Sequence, residues 1–167
     1  MKGYYDDFTE PYFRMISSNI KRGSYRLIGK GSGRTVYDLD NGQVVKEARN
    51  MRGIAQNFEE YRIALADRSN LFARVYDISD DYRFLIMDKA ERIPDISFVW
   101  NYFCVESNEE LFLISGLRFL SDQYDLLIGD LGRAVNWGKI SGRPKIIDYG
   151  FTRQVRKKYY QTRHRSR

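Results

Sequence analysis

The 167-residue chain has a single cysteine and a single histidine, and it contains no apolar run near the 18 residues of a membrane-spanning segment. Each scarcity excludes a class of chemistry. One cysteine cannot close an internal disulfide, which fits a reducing, cytoplasmic setting. Cys104 stands between Phe103 and Val105 and reads as a buried structural thiol. His164 lies in a basic terminal stretch, and one Cys with one His argues against a structural zinc site and against a Cys-His or Ser-His catalytic pair. The opening Met-Lys-Gly-Tyr-Tyr-Asp-Asp has no apolar core of a secretory signal, and no membrane partner is expected. Internal repeats and low-complexity linkers are also lacking.

What is present is a globular balance, with 43% apolar and 30% charged residues. The net charge of +6 is unevenly placed. Residues 153–167 hold seven Arg or Lys and no acid, leaving 21 bases against 22 acids in residues 1–152. Such a tail can bind nucleic acid or an acidic partner by charge alone, or be a solvated, frayed terminus.

Residues 5–21 have the mixed content of a helix. Ser24–Gly29 reads as a strand entering a glycine turn, Val36–Leu39 as a second, and Gln43–Ala48 as a third, with Asp40-Asn41-Gly42 as a hairpin signal. Ile54, Phe58, Tyr61 and Leu65 recur at helical spacing and predict one apolar helix face. Strands at 73–78 and 83–87 follow, with Asp80-Asp81 between them. Phe98–Val105 is a short aromatic run. Ser107-Asn-Glu-Glu110 is a capping box whose helix is expected to reach Ser121, with Leu113, Leu117 and Leu120 on one face. A hairpin at Ser141-Gly142 and a strand at 145–148 complete the reading.

Three groups of residues could do chemistry. Gly29, Gly31 and Gly33, followed by Val36, make a turn whose backbone can approach phosphate closely, although glycine turns also serve as plain hairpins. Lys46 on the third strand can reach the same phosphates, with Glu60 of the following helix as its ion-pair partner; two unrelated surface charges are the alternative. Asp130, Asn136 and Asp148 offer hard oxygen ligands for magnesium and a carboxylate to orient an attacking hydroxyl, while Asp148 before Gly150 is also a common turn acid.

Taken in this order, Gly29-x-Gly31-x-x-Arg34-x-Val36, Lys46, Glu60, Phe84–Ala90 and Asp148-Tyr149-Gly150 resemble the protein-kinase family over residues 25–151, with Arg34 where a third glycine is usual. The resemblance implies a two-lobed α+β fold. An N-terminal helical extension would occupy 1–23, a five-stranded antiparallel small lobe with one helix 24–90, a strongly shortened helical large lobe 91–152, and a basic tail 153–167. It also implies ATP and Mg2+ as cofactors. Lys46 and Glu60 would serve the phosphates, Met87 would be the gatekeeper, and backbone at Asp88 to Ala90 would hold adenine. Asn136 and Asp148 would bind the metal, and Asp130 would be catalytic.

The departures shape the expectation. Ile128-Gly129-Asp130 replaces His-Arg-Asp, Gly132 stands where a lysine is usual, with Arg133 beside it, and Asp130 to Asn136 is one position longer than the pattern. Only 17 residues follow Gly150, too few for an activation segment. The chain is similar in this to minimal kinase-like proteins of bacteriophages and bacterial effectors. Gly53-x-x-Gln56-Asn57-x-x-Glu60 and Asn136-Trp137-Gly138 resemble patterns of kinase-like phage proteins. A Ser/Thr protein kinase acting on a protein substrate is the leading expectation. A pseudokinase-like module engaging a host protein or nucleic acid, and a small-molecule phosphotransferase, are the alternatives.

Overall fold

The structure, a computed structural model, describes residues 6–161, with side chains described from Glu10 onward. It divides into two compact units, residues 1–61 with 74–89, and residues 62–73 with 90–167. It is a mixed α+β architecture with a five-stranded antiparallel sheet, consistent with a protein-kinase-like fold.

The first unit opens with α1 (Asp6–Lys21), followed by β1 (Arg26–Lys30), β2 (Arg34–Asp38), β3 (Gln43–Ala48), the start of α2 (Met51–Ala66), β4 (Val75–Ile78) and β5 (Phe84–Asp88). The sheet order is β1-β2-β3-β5-β4, every pair antiparallel. Side chains alternate across a strand, so register decides which of them share a face. On one face Val45, Phe84 and Ile86 join Phe13 and Ile16 of α1 in an apolar core. The other face carries Val36 opposite Lys46, and Lys46 opposite Leu85. β5 is buried from Phe84 through Met87 and reads as a continuous apolar run, whereas β3 buries Lys46 among its apolar residues.

The β2–β3 turn is where the Asp-Asn-Gly signal places it. Asp40 and Gly42 take positive φ (57° and 83°), and the Asp38 carboxylate accepts from the Asp40 N–H at 3.0 Å. Asp38 is fully buried, and Lys89 (2.6 Å) and Arg26 (2.9 Å) both pair with it. Bonded by Lys89, then Arg26 and the Asp40 amide, its carboxyl is held well below the usual carboxylate range.

The second unit holds β6 (Glu91–Arg92), α3 (Ser97–Phe103), α4 (Asn108–Leu111), α5 (Ser115–Gln123), 3-10 turns at Ile128–Gly132 and Ala134–Asn136, β7 (Trp137–Ile140), β8 (Arg143–Ile146) and α6 (Arg153–Tyr159). The three strands pair in the order β6-β7-β8. Ser141 and Gly142 close the β7–β8 hairpin with φ of 50° and 76°, the left-handed pair that a tight hairpin requires. Trp137 is buried, and its indole N–H donates to the Leu131 carbonyl at 2.8 Å.

Four expectations change. The helix expected from Ser107 to Ser121 is two helices, broken between Leu111 and Ser115. Ser107 does cap α4, accepting from the Glu110 N–H at 3.2 Å, but Leu113 falls in the break and is 70% exposed while Leu117 and Leu120 are buried. The apolar stripe predicted on α2 is not its covered face: Leu65 is 60% and Phe58 39% exposed, whereas Gly53, Gln56, Asn57 and Glu60 are buried. Cys104 is exposed at the C-terminus of α3 in left-handed conformation, with φ of 56°. Finally, residues 153–159 of the basic stretch are an ordered helix rather than a frayed end; His164 lies outside the described residues.

Candidate functional site

In the first unit the site residues meet around one carboxylate. Glu60 is completely buried, and both its oxygens accept from the Lys46 ammonium, at 2.9 and 2.8 Å. Arg34 donates to the same carboxylate at 3.0 Å. All three side chains are buried, so their mutual attraction acts with little screening by water. Asn57, one helical turn before Glu60, accepts from Arg34 at 3.2 Å and donates to the backbone carbonyls of Lys46, Tyr82 and Arg83. A single polar face of α2 thereby fixes β2, β3 and the turn before β5. Spacing of three and four residues puts Gly53, Gln56, Asn57 and Glu60 on that face.

The glycine turn is tied down by Arg49 and Asn50, the residues leading into the same helix. The Gly31 N–H donates to the Arg34 carbonyl at 2.8 Å, closing a tight turn. Its carbonyls are engaged in sequence: Gly31 by the Arg49 guanidinium, Ser32 by Asn50 at 3.1 Å and Gly33 by the Arg49 N–H at 2.8 Å. Asn50 also caps α2, accepting from the Arg52 and Gly53 amides at 3.1 and 3.2 Å. Gly33 and Gly53 face each other backbone to backbone; a Cβ on Gly33 would lie 2.9 Å from the Gly53 nitrogen. Gly33 is required here for close approach to α2.

Gly29 pairs with Val36, and Val36 with Lys46, so these three expected residues adjoin one another on the sheet. Met87 is buried opposite Val44. Around Asp88, backbone donors are already used: the Asp88 N–H donates to the Arg74 carbonyl and the Lys89 N–H to Gly42, both at 2.9 Å. The Asp88 carboxylate accepts from the Tyr76 hydroxyl at 2.7 Å. Ala90 belongs to the second unit, where its Cβ lies against Gly138.

In the second unit Asp130 and Asp148 line one pocket with Leu126, Leu127, Leu131, Ile146, Tyr149 and Phe151. Burial raises the Asp130 carboxyl above its ordinary value, opposed by Arg133 and reinforced by the charge of Asp148. Asn136 is buried, and its amide donates to the Asp130 backbone carbonyl at 2.8 Å, which orients the Asn136 side chain. Asn136 and Asp148 supply hard oxygens of the kind magnesium prefers, and the Asn136 amide nitrogen, being committed, marks Oδ1 as the atom available for such a role. Among the described residues no cluster of three or more His, Cys, Asp or Glu side chains could hold a metal ion on its own.

Sequence reasoning missed Arg34 and Asn57 as members of the buried network, and Arg49 and Asn50 as clamps on the turn. Arg34 had a signal, since a bulky cation replaces an expected glycine. So did Asn57, whose spacing to Glu60 shares a helix face.

The chain has a mixed α+β architecture consistent with a kinase-like one. No family model and no curated protein matches it. Among solved structures, that of the streptomycin-ATP-APH(2")-IIa ternary complex is similar over 90% of this chain and 72% of its own, at 16% identity and a TM-score of 0.44. A likeness of that degree says nothing about activity. No helix among the described residues is long and apolar enough to cross a membrane.

Proposed function

We propose that the protein is an ATP- and Mg2+-dependent phosphotransferase, a minimal kinase acting on Ser or Thr of a protein. The observation that carries this reading is the buried Lys46–Glu60 pair, which holds an ammonium rigidly on a strand beside a glycine turn. Isolated surface charges would not be buried at such desolvation cost. On this reading Lys46 contacts the nucleotide phosphates and Glu60 fixes its rotamer. Asn136 and Asp148 would hold magnesium, which when bound neutralises phosphate charge. Asp130 orients the acceptor hydroxyl and takes its proton as the oxygen bonds to the γ-phosphorus and the bond to the bridging oxygen breaks, releasing ADP.

A second reading has its own support. The Gly31 amide is spent on Arg34, and the turn's carbonyls are held by Arg49 and Asn50, so the turn is closed by its own contacts. A pseudokinase-like module that engages a host protein or nucleic acid without transfer fits that economy.

Calorimetry of ATP binding with and without magnesium separates the two. Magnesium-dependent binding that weakens about tenfold or more in both Lys46→Met and Asp148→Ala is expected for the phosphotransferase. Absence of binding in a protein whose circular dichroism shows it folded would favour the module.

A further inference from the structure

Exposed cations stand near the Asp130 turn on a helix whose backbone is held in place. Helix α6 is stitched to the segment leading into the Asp130 turn. Leu126 bridges to Thr152, the Arg153 N–H donates to the Asp125 carbonyl at 2.8 Å, and the Gln154 N–H donates to the Asp125 carboxylate at 2.9 Å. Thr152 caps the helix, accepting from the Val155 N–H at 3.2 Å, and Val155 is buried. Arg153 is occupied by Asp122 and Asp125, at 3.6 and 3.8 Å. Arg156 and Lys157 are exposed and make no ion pair among the described residues. Arg133 forms a single long ion pair with Asp130 at 3.8 Å, beyond hydrogen-bond distance, and its side chain is 65% exposed. Arg133, and more weakly Arg156, oppose the burial that raises the Asp130 carboxyl.

We infer that the acceptor is a peptide with acidic side chains beside its hydroxyl residue, bound through Arg133 and Arg156 next to Asp130. This rests on the phosphotransferase reading and names its substrate class. Guanidinium forks suit carboxylates. The acidic groups must flank the hydroxyl rather than enter the pocket, because Asp130 and Asp148 line it. A continuous phosphate backbone would also meet the carboxylates of Asp122, Asp125, Asp130 and Asp148, so a short acidic peptide is favoured over nucleic acid.

The test is fluorescence anisotropy on the full chain. The probes are labelled seven-residue peptides with one serine, flanked by glutamates, glutamines or lysines. The glutamate peptide is expected to bind about tenfold more tightly than the lysine peptide, with the preference fading at high salt and lost in Arg133→Glu/Arg156→Glu. A flat series, a preference for lysine, or displacement of the glutamate peptide by a single-stranded oligonucleotide at lower concentration than by the unlabelled peptide would overturn the inference. Lys46-dependent ATP binding, measured in parallel, separates the two failures. ATP binding with a flat peptide series removes this inference alone. A glutamate preference without ATP binding removes phosphoryl transfer and leaves an acidic-peptide docking surface.

Discussion

Replacing Glu60 should cost far more stability than replacing Lys46, although the two form one ion pair. Glu60→Ala withdraws the carboxylate from two buried cations at once, Lys46 at 2.8 Å and Arg34 at 3.0 Å. Removing one member of a buried ion pair typically costs about 3–5 kcal/mol, because the remaining charge stays desolvated. Lys46→Met leaves Glu60 still bonded by Arg34 and fills the space with an apolar chain of similar length. Its cost should be about 1–2 kcal/mol, that of one buried hydrogen-bonding group. For a chain of this size the larger loss corresponds to a fall in Tm of roughly 6–20 °C. Both tryptophans, Trp100 and Trp137, lie in the second unit, so their fluorescence is a poor reporter of the first. Far-UV circular dichroism in urea, with hydrogen exchange on β2 and β3, is the suitable assay. A double-mutant cycle between Arg34→Met and Glu60→Gln should return a coupling of at least about 1 kcal/mol. Glu60→Ala within about 1 kcal/mol of the native protein, or a Lys46→Met loss equal to it, would refute the argument that Arg34 shares the carboxylate.

Two further predictions concern the same unit. Gly53→Ala places a Cβ about 3.0 Å from the Ala48 Cα, with the Gly33 backbone as its other close neighbour, so the urea midpoint should fall by an amount equivalent to about 1–3 kcal/mol; an unchanged midpoint would mean that the Gly33–Gly53 contact is loose. Because the folded-state carboxyl of Asp38 titrates below its unfolded value, its stabilisation is complete above about pH 4 and is lost as pH falls through the folded-state value. Urea titrations from pH 7 to pH 3 should show that acid limb shrinking in Lys89→Met, and an identical limb in Asp38→Asn would rule Asp38 out as its source.

The succession of strands along the chain, the Asp40-Asn41-Gly42 turn, the Ser141-Gly142 hairpin and the Ser107 cap were legible from sequence because each depends on residues close together in the chain; the pairing of β3 with β5 is long-range. Lys46 and Glu60 could be proposed as partners from their order after the glycines. Their contact itself is a product of β3 and α2 packing.

Local pattern fails where a buried face is polar. On α2 the apolar residues Ile54, Phe58, Tyr61 and Leu65 have the regular spacing, yet the helix turns Gln56, Asn57 and Glu60 inward. The hydrophobic period assumes that burial follows apolarity, and here fixed hydrogen bonds and ion pairs to β2, β3 and the β5 approach outweigh it. The break at Phe112–Ile114 is likewise invisible to a rule that extends a capped helix along a leucine stripe: Leu111, Leu117 and Leu120 are buried, and Leu113 between them is exposed. Sequence alone determined the strand pattern, the turn chemistry, the charge asymmetry and the identity of the chemically capable residues, all properties of neighbours along the chain. Tertiary structure decided that Arg34 joins the Lys46–Glu60 pair, that Gly33 lies against Gly53, and that residues 153–159 fold as a helix beside the Asp130 turn. Those contacts join residues far apart in sequence, and only packing and desolvation select among the partners available to each.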